Sequence, residues 1–215
     1  MSIINNFNFI KEKISSLNCG VTEVIAVSKT FSLVEIMPLI EIGHIHFGEN
    51  KVQEAKQKWS GILSENKSIN LHLLGKLQSN KAKEAFKIFN FIHTLDNCKL
   101  AKILSSLEKD NVRKINYFVQ VNIGNEIQKN GIDYNLATEF IKYCRFDLLL
   151  NIIGLMCIPP LGHSSSSYFK KCKELADLNN LKELSMGMSN DYIEAVKNGS
   201  TFVRIGNSIF GERFT

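Results

Sequence analysis

The chain has 215 residues, 44% of them apolar and 22% charged, with a formal net charge of +5. That length suits one large domain or two small ones, and an α/β barrel commonly runs to ~200–250 residues as a single domain. No apolar run reaches the ~18–20 residues that cross a bilayer, the first residues lack the basic-then-apolar layout of a signal peptide, and no dense Lys/Arg block of the nucleic-acid-binding kind is present.

A cytoplasmic protein with neither a membrane nor a nucleic-acid partner is therefore expected. The mild positive charge leaves room for an anionic small ligand. The five cysteines (Cys19, Cys98, Cys144, Cys157, Cys172) are odd in number and scattered, with no C-x-x-C. That pattern argues for reduced thiols and against a zinc site or a disulfide frame.

Residues 2–17 read as an amphipathic helix, with Ile3, Phe7, Ile10 and Ile14 on one face. A buried strand over residues 24–29 follows. Ser32 then caps a helix that Gly43 ends. The second strand covers 45–49, with a helix through Val52, Ala55 and Trp59. The third strand covers 71–75 and its helix 81–89. The fourth covers 91–95, with a helix through Leu100, Ile103 and Leu107. The fifth, 117–123, is followed by a loop over 124–131 and a helix through Leu136 and Ile141. The sixth, 152–158, stops at Pro159-Pro160. Four serines at 164–167 read as a loop before a helix that runs to about Leu178. The seventh strand, 183–186, leads to a helix over 189–198. The eighth, 202–206, ends in a short helical turn.

Strand and helix alternate throughout, with no long linker and no composition break. That implies right-handed βαβ units and a parallel sheet. Eight such units fit a closed (β/α)8 TIM barrel, spanning residues 1–215 as one domain with an extra N-terminal helix, better than an open doubly wound sheet. The N-terminal helix either covers the barrel bottom or makes a dimer contact, so a monomer or weak dimer is expected.

In such a barrel the C-terminal strand ends share one face, and ligands bind there. That face collects Lys29, Glu49-Asn50-Lys51, residues 75–81 with Lys76 and Lys81, Asn122 and Lys129, Met156, Ser185-Met186-Gly187-Met188-Ser189 and Arg204-Ile205-Gly206-Asn207-Ser208. It is rich in cations, amides and hydroxyls and poor in carboxylates, which suits an anion.

Lys29 carries two readings. Partly desolvated, its amine can form a Schiff base with an aldehyde; otherwise it snorkels into water. Arg204 lies inside an apolar strand and needs a partner there. That partner is either Glu49 or another carboxylate, or a ring nitrogen or anion of a ligand. Gly206-Asn207-Ser208 opens a short helix whose N–H groups favour a dianion. Gly187 and Ser189 open the preceding helix in the same way, and Ser189 serves equally as an N-cap. His44-x-His46 reads as packing rather than a metal site, for want of supporting ligands. His72 and His93 read as satisfied core or pocket-rim residues.

The runs Ala26-Val27-Ser28-Lys29-Thr30, His46-Phe47-Gly48-Glu49-Asn50-Lys51-Val52-Gln53-Glu54, His72-Leu73-Leu74-Gly75-Lys76-Leu77-Gln78-Ser79-Asn80-Lys81 and Gln120-Val121-Asn122-Ile123 look like family signatures. So do Gly154-Leu155-Met156-Cys157-Ile158-Pro159, Leu184-Ser185-Met186-Gly187-Met188-Ser189, and residues 199–206 with Ile209-Phe210-Gly211-Glu212-Arg213. In order and nearly end to end, the chain resembles the pyridoxal 5′-phosphate homeostasis proteins, the YggS/PROSC family. The resemblance implies an alanine-racemase-like TIM barrel carrying pyridoxal phosphate as a lysine aldimine. It implies Lys29 as the Schiff-base lysine and Arg204 facing the pyridine nitrogen. It further implies Ser185, Ser189 and the backbone around Gly206-Asn207 on the phosphate, with Asn50 and Met186 lining the ring.

An arginine opposite the ring nitrogen weakens the cofactor as an electron sink. The racemases of this fold resemble it but add a second base from an extra β-domain, for which no residues are expected here. The expected function is a carrier of pyridoxal phosphate that delivers it to apo-enzymes, not an enzyme. The alternative is a pyridoxal-phosphate-dependent amino-acid racemase. Whether Lys76, Lys81 or Lys129 takes part in transfer stays open.

Overall fold

Runs that are apolar on both faces make strands that must be covered on both sides, and amphipathic segments between them supply the cover. The computed structural model describes residues 2–17, 19–126, 130–160 and 164–211. Its elements in order are α1 (Ile3–Ser16), β1 (Glu23–Val27), α2 (Leu33–Glu41), β2 (His46–Glu49), α3 (Val52–Glu65), β3 (Asn70–Leu73), α4 (Ala82–Ile88), β4 (Phe91–Leu95), α5 (Cys98–Lys109), β5 (Asn116–Asn122), β6 (Ile132–Asp133), α6 (Ala137–Lys142), β7 (Ile152–Cys157), α7 (Ser165–Leu178), β8 (Glu183–Met188), α8 (Tyr192–Lys197), β9 (Phe202–Ile205) and α9 (Asn207–Phe210).

The strands pair in the order β4-β3-β2-β1-β9-β8-β7-β5, and β4 also pairs with β5, which closes the ring. The observed pairings are parallel, so this is the expected eight-stranded barrel. The two-residue β6 adds to the far end of β5.

Side-chain alternation splits the core into two layers. Inside the barrel, Ile25, Phe118, Met156 and Phe202 form one cluster. Between sheet and helices lies the larger one, with Phe47, Trp59, Leu71, Phe89 and Phe169 among its fully buried members. Helix α1 buries Phe7, Ile10 and Ile14. The Asn6 side-chain amide donates to the Ile209 carbonyl over 3.0 Å, tying α1 to α9. Among the described residues no helix is long and apolar enough to cross a membrane.

Three expectations change. Several strands stop one or two residues early, so Lys29, Gly75 and Gly206 sit in turns beyond β1, β3 and β9. Ser165, Ser166 and Ser167 are not loop but the first turn of α7; the apolar face of Phe169, Cys172, Leu175 and Ala176 overrides their weak local preference. Ser189 does not open a helix. Strand β8 runs on to Met188, and α8 starts only at Tyr192 with Asp191 at its N-cap. Gly43 ends α2 as expected, with φ +83° in the left-handed region.

Candidate functional site

Four neighbouring strands build the site. The order β2-β1-β9-β8 sets side by side the turns carrying Asn50, Lys29, Gly206-Asn207 and Ser189. A Cβ on Gly206 would stand 3.4 Å from the Val27 carbonyl oxygen, so the turn after β9 lies against the end of β1.

Lys29 lies in the turn two residues past the end of β1 and is half-buried. The chain on both sides of it is held. Ser28 Oγ donates to Glu49 Oε1 over 2.8 Å. The Ser28 carbonyl accepts from Lys58 Nζ over 2.8 Å. The Thr30 N–H donates to Glu54 Oε1 over 2.5 Å. Thr30 itself has φ +69°, an uncommon conformation for a β-branched residue.

Arg204 is 5% exposed. Its Nη1 donates to the Ser185 carbonyl over 2.6 Å and to Ser185 Oγ over 2.9 Å, and Nη2 donates to the Cys157 carbonyl over 3.0 Å. The Ser185 carbonyl is available because the β8–β9 ladder shifts register between Ser185 and Met188, where Gly187 takes φ +88°. Burial lowers the guanidinium's pKa, while the Cys157 and Cys172 thiols and Asp191 oppose the shift. Among the described residues Arg204 makes no ion pair. Glu49, one candidate partner, points to the other face of β2 and bonds Lys58 over 2.9 Å and the Trp59 indole over 2.9 Å.

Behind Ser185 runs a chain of histidines across the barrel interior. His93 Nδ1 lies 2.9 Å from Ser185 Oγ, His72 Nδ1 lies 2.9 Å from His93 Nε2, and His46 Nδ1 lies 2.9 Å from His72 Nε2. Arg204 can only donate, so the enclosed Ser185 hydroxyl donates its O–H to His93 Nδ1. Each histidine then carries its proton on Nε2. Burial pushes His72 and His93 well below the usual histidine value. Their neighbouring rings add to this, as does Arg204 for His93. His72 stacks on Phe91 and His93 on Phe118, each with centroids 4.2 Å apart. The chain ends at His46, which lines a cavity of about 320 Å³ between α1 and the starts of β1 and β2. Sequence reading placed these histidines in strands but missed their connection, which only the register reveals.

The remaining candidates divide. Asn50 is half-buried in the turn after β2. Ser189 is half-buried and Asn207 exposed, both at the C-terminal end of the barrel. Ser185 is fully buried below them, with its hydroxyl engaged by Arg204 and His93. Met186 is fully buried in the layer between sheet and helices, so its side chain is turned away from the barrel interior. Lys76 donates to Asn130 over 2.8 Å and Lys81 pairs with Glu84 at 3.6 Å. Lys129, Glu212 and Arg213 lie outside the described residues.

The family described as alanine racemase, N-terminal domain, matches residues 2–214. The pyridoxal phosphate homeostasis protein of Haemophilus influenzae is 33% identical over 99% of this chain and 97% of its own length. That of Aquifex aeolicus is 34% identical over 91% of this chain and 88% of its own. Among solved structures, PipY of Synechococcus elongatus with PLP bound superposes with a TM-score of 0.80 at 34% identity, covering 93% of this chain and 99% of that one. Alanine racemase of Clostridium difficile, at 13% identity and a TM-score of 0.77, shares the fold over 57% of its length.

Proposed function

The chain belongs to the pyridoxal phosphate homeostasis protein family, and from that premise we propose that it binds pyridoxal phosphate, holds it on Lys29 and delivers it to apo-enzymes. The observation that carries the reading is Arg204. A buried guanidinium without a carboxylate partner is costly. Its three bonds leave two of its five donors for a ligand. The strand beside it leads directly to Lys29, since Ile25 pairs with Arg204.

Bound pyridoxal phosphate supplies an aldehyde that condenses with an amine, releasing water. Lys29 provides the amine at the end of β1. Arg204 stays protonated; its remaining N–H donors would hold the ring nitrogen as an acceptor, which would leave the ring a poor electron sink. Backbone N–H groups of Gly206 and Asn207, with the Ser189 hydroxyl, would hold the phosphate, and Asn50 would border the ring. Such a donor set favours retention of the cofactor over transamination or decarboxylation, so we read the protein as a carrier rather than a catalyst.

The test is a visible absorption spectrum of the protein with pyridoxal phosphate, for wild type and Lys29→Ala. An imine band in wild type that is lost in the variant supports the reading. A band that survives in Lys29→Ala removes Lys29 from its role. Steady racemisation of an amino acid that depends on Lys29 would replace the carrier by a racemase.

A further inference from the structure

Lys58 lies on α3, on the helix side of β1 and β2. Its side chain is only 10% exposed. An ammonium has three donors. Here they meet the Ser28 carbonyl at 2.8 Å, Glu49 Oε1 at 2.9 Å and Glu54 Oε1 at 3.4 Å. The two carboxylates in turn reach the residues on either side of Lys29. Glu49 Oε1 accepts from the Ser28 hydroxyl over 2.8 Å, and Glu54 Oε1 accepts from the Thr30 N–H over 2.5 Å. The Trp59 indole N–H fixes Glu49 from below over 2.9 Å.

Burying a lysine this deeply is unfavourable unless its partners are complete. The partners it has make a clasp around one turn. That turn contains Thr30 at φ +69°, a backbone state a threonine keeps only where its surroundings impose it. The clasp acts from outside the barrel, on the helix side of β1 and β2.

We propose that Lys58, through Glu49 and Glu54, is the positioning residue for Lys29. It holds Ser28 and Thr30 so that the Lys29 amine meets the incoming aldehyde in one orientation. This rests on the reading of Lys29 as the aldehyde-binding amine. In that reaction the amine nitrogen bonds the aldehyde carbon and the carbonyl oxygen leaves as water. Lys58 touches neither partner. It removes the search for orientation that otherwise slows the encounter.

The experiment follows formation of the imine band after mixing pyridoxal phosphate with the full chain, with borohydride trapping to locate the modified lysine. Lys58→Met is expected to slow band formation by about tenfold or more, with the trapped label still on Lys29. Melting temperature is read alongside: a merely structural role for Lys58 would lower stability and leave the rate of band formation in the folded chain unchanged, and a wild-type rate in folded Lys58→Met overturns the proposal. Should Lys58→Met fail to fold, Glu54→Ala carries the test. Its side chain is 28% exposed, and it removes the Thr30 acceptor with little loss of core. Glu54→Ala is expected to slow the band about fivefold or more, and a wild-type rate there overturns the clasp. Wild-type rates in Lys58→Met with no band in Lys29→Ala overturn the clasp alone, whereas a band in Lys29→Ala overturns the reading beneath it.

Discussion

Arg204 rests on Ser185 twice, through the carbonyl at 2.6 Å and the hydroxyl at 2.9 Å, and that hydroxyl donates a hydrogen bond to His93 Nδ1 2.9 Å away. The serine is thus the joint between the arginine of the site and the histidine chain behind it. The resemblance puts the same serine on the phosphate. The two roles predict different variants. Ser185→Ala leaves the carbonyl bond to Arg204 but strands His93 Nδ1 as a buried acceptor without a donor. That costs about 1–3 kcal/mol, a fall in melting temperature of about 2–4 °C per kcal/mol for a chain this long. Affinity for pyridoxal phosphate and for pyridoxal, which lacks the phosphate, should change by the same factor. A selective loss for the phosphorylated form would put Ser185 on the phosphate.

The four histidines at His44, His46, His72 and His93 make stability depend on mild acid. Burial lowers all of them, His44 to about 4. The unfolded chain takes up these protons near the ordinary value of about 6.5, before the folded chain does. Stability is therefore complete above that value and is lost as pH falls from there toward about 4 for His44. Each histidine contributes a slope of up to about 1.4 kcal/mol per pH unit inside its window. Denaturant midpoints at pH 7.5, 6 and 5 measure this directly. His44→Gln keeps a donor for the His46 carbonyl, which His44 Nε2 meets at 2.8 Å, and should flatten the slope. A wild-type midpoint that does not move between pH 7.5 and 5 is incompatible with a neutral histidine chain.

The barrel was legible because apolar runs such as those of β1, β5 and β7 alternate with amphipathic helices. The strand ends were less so. An apolar run gives no sign of where pairing stops, so Lys29 read as the last residue of β1 rather than part of a turn. The seventh strand went wrong at its C-terminal end for a related reason. Gly187 read as a helix opener, whereas its φ of +88° serves a register shift within β8. Glu49 was weighed as a partner for Arg204 from composition alone. Alternation along β2 turns it outward, to Trp59 and Lys58. The histidine chain joins β2, β3 and β4 to β8, and nothing local in the sequence relates those positions. The resemblance puts Ser185 and Met186 on the ligand; Met186 packs between sheet and helices, whereas Ser185 faces the barrel interior with its hydroxyl engaged by Arg204 and His93.

Gly75 shows how closely the turns of the site are packed. A Cβ there would stand 2.0 Å from the Asn50 carbonyl oxygen, a backbone atom that cannot step aside. Gly75→Ala must therefore displace the turn after β2 and Asn50 with it. Overpacking of this kind costs about 1–3 kcal/mol or more. Cofactor affinity should fall along with stability. By contrast Gly61→Ala, on α3 with nothing within 4 Å of the added carbon, should stabilise by about 0.4–1 kcal/mol. Melting temperatures of the pair test this: the two shifts must have opposite sign.

The last prediction concerns the guanidinium itself. Arg204 spans two strands, bonding Ser185 on β8 and Cys157 on β7, and still has donors left. Lysine has three donors on one atom and cannot cover both strands and a ring nitrogen together. Arg204→Lys leaves the Cys157 carbonyl or the Ser185 pair unserved, a loss of about 1–3 kcal/mol in stability. It also replaces a fixed cation by one that burial can discharge. Pyridoxal phosphate should still reach Lys29, so the imine band persists. Its retention should weaken about tenfold or more, because removing the partner of a buried hydrogen bond costs on the order of 1.4 kcal/mol or above. Equilibrium titration separates the two effects. A variant less stable than wild type but binding pyridoxal phosphate equally tightly would assign Arg204 to the barrel alone. Weaker binding with the band intact assigns it to the ring as well.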